Sequence, residues 1–316
     1  MTKEITYSPS YTLVPTYECF NRCSYCNFRL DPGQGSLLTI PEAQVQLNSL
    51  KRDEVIEILI LSGEVHPQSP EREKWFTRIY ELCNLALQMG YLPHTNVGPL
   101  SRNEMTQLAK VNFSMGLMLE QVSTSLEKTV HSYAPSKKVQ LRLEQLELSG
   151  ELKIPFTTGL LLGIGESQDS WWESLESIVS IWHKWGHIQE VILQPFSPQD
   201  FQSPAFNLSL LPEIVREARR ILPQQIAIQV PPNLVSQPDI LLSCLDAGAR
   251  DLGGIGPIDE VNPTYEHMSL KSLQEILQSA GWLLKPRLPI YPHYYDWLSG
   301  DLREAAFCRS AMVNRD

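Results

Sequence analysis

Short apolar runs alternate along the chain with longer segments in which apolar residues return every three or four positions. The runs at residues 12–15, 55–61, 92–97, 112–118, 156–162, 190–194, 226–230 and 249–252 have the length and side-chain character of buried strands. Each stretch between them is long enough to carry a crossover helix. One such stretch repeats Trp75, Ile79, Leu82, Cys83, Ala86 and Met89 on one helical face before Gly90 stops it. Thr39-Ile40-Pro41-Glu42 has the pattern of a capping box, with Thr39 as N-cap and Glu42 reaching back to its amide. A further helix opens near Asp169 and runs through Trp172, Leu175, Ile178 and Ile181 to Gly186.

Strands that alternate with helices imply an α/β protein with a parallel sheet and right-handed crossovers. Eight units predict a closed (β/α)8 barrel of TIM type. Without the last two, of which 249–252 is short for a strand, an open six-unit barrel is the alternative. Two ordinary domains would also fit 316 residues, but one barrel over 1–316 suits this pattern better, with 285–316 as a C-terminal extension. In either barrel the active site is expected at the carboxyl ends of the strands.

Composition narrows the function classes. Apolar residues make up 42% of the chain and charged residues 20%, which is a globular balance with ample material for a core. No apolar run approaches the length of a membrane span, and Met1-Thr2-Lys3-Glu4-Ile5-Thr6 lacks the apolar segment of a secretory signal. A cytoplasmic protein without a membrane partner is expected. The net charge of −10 and the absence of any block of basic residues argue against a nucleic-acid partner, whose phosphates need Lys and Arg to replace counterions.

The chemistry is signalled by cysteine. Of six cysteines, Cys83, Cys244 and Cys308 are scattered, while Cys19, Cys23 and Cys26 crowd together just after the first candidate strand. A disulfide framework is a poor reading for a long cytosolic chain, whose thiols stay reduced. Three thiolates in one loop can bind three irons of a cubane cluster and leave the fourth iron open. A structural zinc site needs four ligands, so His66 or another distant residue would have to complete it. A metal-binding scaffold or sensor without catalytic activity is the corresponding non-enzymatic reading.

Cys-x3-Cys-x2-Cys with an aromatic, here Tyr25, before the last cysteine resembles the radical S-adenosylmethionine (SAM) superfamily. The resemblance implies a [4Fe–4S] cluster held by Cys19, Cys23 and Cys26. It also implies SAM on the open iron, split by electron transfer to give a 5′-deoxyadenosyl radical. Ser62-Gly63-Glu64, after the second strand, is similar to the superfamily's Gly-Gly-Glu motif with Ser62 in place of the first glycine, which implies contact with the SAM amino group. Gly159-Leu160-Leu161-Leu162-Gly163-Ile164-Gly165-Glu166 resembles its Gly-x-Ile-x-Gly-x-x-Glu pattern, with Leu161 in place of isoleucine. That pattern implies adenine contacts at Gly159, Leu161 and Gly163. Glu120 and Gln194, at other strand ends, are placed to reach ribose or substrate.

Longer stretches resemble one family within the superfamily. His94-Thr95-Asn96-Val97-Gly98, Ser114-Met115-Gly116-Leu117-Met118-Leu119-Glu120, Pro155-Phe156-Thr157-Thr158-Gly159-Leu160-Leu161 and His187-Ile188-Gln189-Glu190-Val191-Ile192 are similar to CofG, the small subunit of 7,8-didemethyl-8-hydroxy-5-deazariboflavin (FO) synthase. The likeness covers roughly residues 10–295. It implies closure of the deazaflavin ring, with loss of ammonia, from a tyrosine-derived adduct of 5-amino-6-(D-ribitylamino)uracil. That adduct comes from a partner radical SAM enzyme, the CofH-like large subunit, and an electron donor is also required. One cysteine cluster allows only one of the two half-reactions in this chain. His94, Asn96, Tyr291, His293 and Tyr294 are the candidates to hold the substrate. Biotin synthase-like and menaquinone-pathway radical SAM enzymes share the cluster and are the nearest alternatives.

Overall fold

A computed structural model describes residues 3–51, 54–198, 204–257 and 268–313. Eight parallel strands form its centre: β1 (Lys3–Leu13), β2 (Glu57–Leu61), β3 (Leu92–Asn96), β4 (Ser114–Gly116), β5 (Phe156–Leu162), β6 (Ile188–Pro195), β7 (Ala227–Gln229) and β8 (Asp251–Ile255). Each pairs with the next, and β1 takes both β8 and β2 as neighbours, which closes the barrel. The expected (β/α)8 barrel is therefore the fold, and the open six-unit alternative falls away. The crossover helices are α1 (Ile40–Asn48), α2 (Arg72–Gln88), α3 (Arg102–Leu108), α4 (Val139–Glu151), α5 (Gln168–Trp185), α6 (Leu211–Ile221), α7 (Pro238–Ala247) and α8 (Leu270–Ser279). None is long and apolar enough to cross a membrane.

Local signals set these helices. Thr39 caps α1 through the complete box: its hydroxyl accepts from the Glu42 amide at 3.3 Å, and Glu42 accepts from the Thr39 amide at 2.9 Å. In α5, Ser167 is the N-cap and Gly186 ends the helix at φ +68°. Between them Trp171, Leu175, Ile178 and Ile181 bury one stripe against the barrel. The same logic puts Trp75, Ile79, Leu82, Cys83 and Ala86 of α2 in the core.

Two strands differ from the sequence expectation. β1 begins at Lys3 rather than near residue 12, because its inward positions are polar. Thr6 donates to Asp251 of neighbouring β8 and Ser8 to Glu57 of neighbouring β2, so the strand lacks the apolar run that marks a wholly buried one. A ninth strand, β9 (Trp282–Pro286), pairs in parallel with Lys3–Tyr7 of β1. It signals itself only by alternation: Trp282 and Leu284 are buried while Leu283 is exposed.

After β9 the chain turns under the amino ends of the strands. Leu288, Ile290, Tyr294 and Tyr295, with Leu302 and Ala306 of α9 (Gly300–Val313), pack on Ile56, Leu92 and Phe113 at the starts of β2, β3 and β4. The Pro289 carbonyl accepts from Ser114 and from Gln189, at 3.0 Å from the latter. The C-terminal segment thus plugs one end of the barrel and leaves the carboxyl-end mouth open for a site.

Candidate active site

Leu13 ends β1 at the mouth, and the following loop carries Cys19, Cys23 and Cys26, all partly exposed and none in a disulfide. Backbone bonds pin this loop on three sides: Cys19 to Leu30 (3.0 Å), Phe20 to Glu64 (3.0 Å) and Ser24 to Val130 (3.1 Å). Burial pushes the Cys23 thiol up to about 11, against the pull of the Lys137 ammonium, with Cys26 also felt there. The Asn21 amide lies 3.7 Å from Cys19 Sγ. Among the described residues no three Cys, His, Asp or Glu side chains converge on a point that one ion could occupy. A cubane asks each thiolate to reach a different iron, and three thiols spread along one pinned loop fit that donor set.

Glu64 stands beside the cysteine loop in a built network. Its carboxylate accepts from Asn21 (2.9 Å), from Ser136, and from Arg142 Nη2 (3.1 Å). Gly98 leaves the space it needs, since a Cβ there would sit 2.4 Å from the Glu64 side chain. A Cβ on Gly63 would meet the Glu18 carbonyl oxygen at 2.1 Å, so the glycine lets the end of β2 press against the cysteine loop. Ser62 turns away from the mouth: its hydroxyl donates to the Gly63 carbonyl at 2.8 Å and accepts from Trp75 Nε1 at 3.0 Å.

Glu120 follows β4 with φ +66° and pairs with Lys137. Both are deeply set. Against burial, Lys137 and Arg142 hold the Glu120 carboxyl below its ordinary value. Lys137 is raised despite burial and Arg142, by Glu120, Cys23 and Glu64. Lys137 and Arg142 are therefore charged residues of the mouth that the sequence motifs did not single out. Their sequence signal is faint: two of the basic residues near the start of α4 in a chain of net charge −10.

The strand-end glycines of β5 divide in role. Gly159 sits mid-strand, where a Cβ would meet the Ile192 carbonyl oxygen at 2.4 Å, so packing between β5 and β6 demands it. Gly163, at φ +93°, turns the chain, and Glu166 braces that turn by accepting from the Gly163 and Ile164 amides at 2.6 and 2.8 Å. Leu161, Ile164 and Leu126 form a small apolar shelf that includes Tyr25 and Phe196. The Tyr25 hydroxyl is 2.9 Å from His131 Nε2.

A cavity of about 290 Å³ runs inward from the mouth. Thr12, Leu61, His94, Asn96 and Gln194 line it, with Glu57, Glu190 and Arg287 further in. Tyr291 lies under the barrel, its hydroxyl 3.2 Å from Asp251, and His293 is exposed beside it; neither lines the cavity. Of the expected site residues, the structure brings the cysteines, Tyr25, Glu64, Glu120, Leu161 and Gly163 to one mouth and puts His94, Asn96 and Gln194 in the cavity below.

The Radical SAM superfamily description matches residues 13–178, which hold the cysteine loop and strands β2 to β5. Over 301 residues the chain is 62% identical to the 7,8-didemethyl-8-hydroxy-5-deazariboflavin synthase of Trichormus variabilis, covering 94% of this chain and 88% of that protein. The chain belongs to the FO synthase family of the radical SAM superfamily. An FO synthase of Gloeobacter violaceus is 54% identical over 92% of this chain and 91% of its own. Among solved structures, the FeFe-hydrogenase maturase HydG from Carboxydothermus hydrogenoformans superposes with a TM-score of 0.75 at 17% identity, over 96% of this chain and 76% of its own. Methylornithine synthase (PylB) superposes with a TM-score of 0.67 at 17% identity, over 90% of this chain and 84% of its own. At such identities these two likenesses speak for the barrel alone.

Proposed function

We propose that this FO synthase relative closes the central ring of 8-hydroxy-5-deazaflavin, acting on the tyrosine-derived adduct of 5-amino-6-(D-ribitylamino)uracil with loss of ammonia. The observation that carries the reading is 62% identity across 94% of this chain and 88% of an FO synthase. A single Cys-x3-Cys-x2-Cys loop supports a division of labour in which a separate CofH-like enzyme makes the adduct and an electron donor reduces the cluster.

In this reading Cys19, Cys23 and Cys26 hold the [4Fe–4S] cluster. Bound together, cluster and SAM supply a deoxyadenosyl radical that takes hydrogen from the substrate. The chain's own residues bind and orient. Glu64, already fixed by Asn21, Ser136 and Arg142, offers a carboxylate to the SAM ammonium. Lys137 and Arg142 are the cations nearest to meet its carboxylate. The Leu161–Ile164 shelf and Tyr25 give adenine an apolar face, with Glu120 and Gln194 at hand for ribose hydroxyls. The walls below, including His94 and Asn96, keep water from the reacting carbon.

The test is an anaerobic assay on reconstituted protein with dithionite, SAM and the enzymatically made adduct. Fluorescent deazaflavin together with 5′-deoxyadenosine is expected. Deoxyadenosine without deazaflavin would reject the substrate; neither product from a protein with intact cluster would reject the reaction.

A further inference from the structure

The inner end of the cavity holds more acid than base. Glu57, Glu190 and Asp251 are 7%, 4% and 0% exposed, and Arg287 is the one cation among the described residues that they contact. Arg287 commits its fork to Asp251, Nε to Oδ2 at 2.6 Å and Nη2 to Oδ1 at 2.7 Å. Asp251 also accepts from Thr6, from the Gly253 amide (2.6 Å) and from Tyr291 (3.2 Å). Glu190 receives one Arg287 contact at 2.8 Å and Thr157 at 3.2 Å and shares a hydrogen bond with the Asp251 carboxylate; Glu57 receives only the Ser8 hydroxyl.

One guanidinium cannot hold three desolvated carboxylates ionised at once. The two with the poorest donors resist ionisation most. Burial accordingly raises Glu57, and raises Glu190 well above the usual carboxyl range, while Arg287 keeps Asp251 low despite burial. His94, the other titratable group on this wall, is kept neutral by burial and by Arg287. An independent feature faces the same space. Gln229 is 8% exposed and lines the cavity beside these acids. A carboxamide in a cavity wall can donate to and accept from a ligand seated there.

We propose that Glu57 and Glu190 work as neutral carboxylic acids that, with Gln229, hold the uracil end of the substrate at the closed end of the barrel. The inference rests on the FO synthase reading and deepens it. An imide edge presents carbonyl acceptors on either side of an N–H donor. A carboxylic acid or carboxamide offers a donor and an acceptor side by side and matches such an edge. An ionised carboxylate has only acceptors and would set lone pairs against the carbonyls. The ribityl and phenol parts then extend toward the mouth, where the radical is generated.

The experiment measures binding of 5-amino-6-(D-ribitylamino)uracil by calorimetry to wild type, Glu190→Gln, Glu190→Leu, Glu57→Gln and Glu57→Leu, all with cluster and SAM. Apparent KM for the adduct is measured in parallel. Glutamine keeps the neutral donor–acceptor pair and is expected to retain the wild-type Kd within about threefold, whereas leucine weakens it about tenfold or more. The leucine variants also guard against misfolding, since an apolar side chain is stable in that interior and their circular dichroism reports the fold. Glutamine as damaging as leucine would mean that the ionised carboxylate binds, and would overturn the proposal, as would leucine variants that bind normally. Deazaflavin formation by wild type is the separate control: its failure would reject the reaction, not the role of the two acids.

Discussion

Arg142 reaches from α4 to Glu64 at the end of β2, Nη2 to Oε1 at 3.1 Å, with side chains only 2% and 12% exposed. The same guanidinium donates to the Ser136 carbonyl at 2.8 Å and the Met118 carbonyl at 3.2 Å, so one residue ties the segments after β2 and β4 to the turn before α4. A buried pair is costly to break from one side, because the surviving charge has no solvent. Arg142→Ala is expected to cost about 3–5 kcal/mol of unfolding free energy in the cluster-free protein. Glu64→Gln keeps a hydrogen-bonding side chain of the same shape and is expected to weaken SAM binding far more than it weakens the fold. Urea unfolding and a SAM titration of the reconstituted protein separate the two effects. An unchanged SAM dissociation constant would refute the role given to Glu64.

The six cysteines sort by place. Cys83 is buried and lies 3.4 Å from Thr95 and 3.5 Å from Asn112, a core position; Cys308 is exposed on α9. Cys23→Ala is expected to abolish cluster assembly and with it SAM cleavage, whereas Cys308→Ala leaves both unchanged. Iron and sulfide content per chain is the readout. A full complement in Cys23→Ala would remove the cluster from this loop.

What the sequence could show follows from how locally each feature is encoded. β5 was legible because all seven of its residues are buried, and its aromatic, β-branched and leucine side chains read as a strand with no charged position. The amino-terminal part of β1 was not, because Thr6, Ser8 and Ser10 face a polar barrel interior. The cysteines declared themselves by crowding within one loop. Lys137 and Arg142 did not, since the carboxylates that give them meaning are 17 and 78 residues away. The glycines were legible as glycines but not by cause: Gly63 and Gly159 are required by backbone approaching backbone rather than by space left for a ligand.

That distinction can be tested at three glycines. Gly33 has φ +87° with nothing within 4 Å of where a methyl group would stand, so Gly33→Ala should cost about 1 kcal/mol from backbone strain alone and spare function. Gly98 has φ +89°, and a methyl there would also be driven into Glu64 at 2.4 Å. Gly98→Ala is therefore expected to raise the SAM dissociation constant as well as lower stability. Gly63→Ala, with 2.1 Å to a backbone oxygen of the cysteine loop, should lose iron on reconstitution. Equal behaviour of all three variants in iron content and SAM titrations would contradict this ordering.

His94 sets an acid limit on the fold, with a sign that its hydrogen bonds dictate. The Ser114 hydroxyl donates its one hydrogen to the Pro289 carbonyl, so the 2.6 Å contact with His94 is made by Nδ1–H donating to Ser114 Oγ. That leaves Nε2 as a bare acceptor and the ring neutral. Burial, and then the nearby Arg287 charge, push the folded-state value down to about 3. The unfolded chain takes up this proton near about 6.5, so folding excludes a proton. The stabilisation is fully present above about 6.5 and is lost as pH falls from there toward 3, at up to about 1.4 kcal/mol per pH unit. Glu57, raised by burial, has the opposite sign: its contribution is present at low pH and is lost as pH rises through its folded value. His94→Asn should therefore show a shallower loss of unfolding free energy than wild type between pH 6.5 and 3, while the two proteins share the same slope above pH 7. Parallel curves throughout that acid window would mean that the imidazole titrates normally and that the barrel interior is wetter than its hydrogen bonds imply.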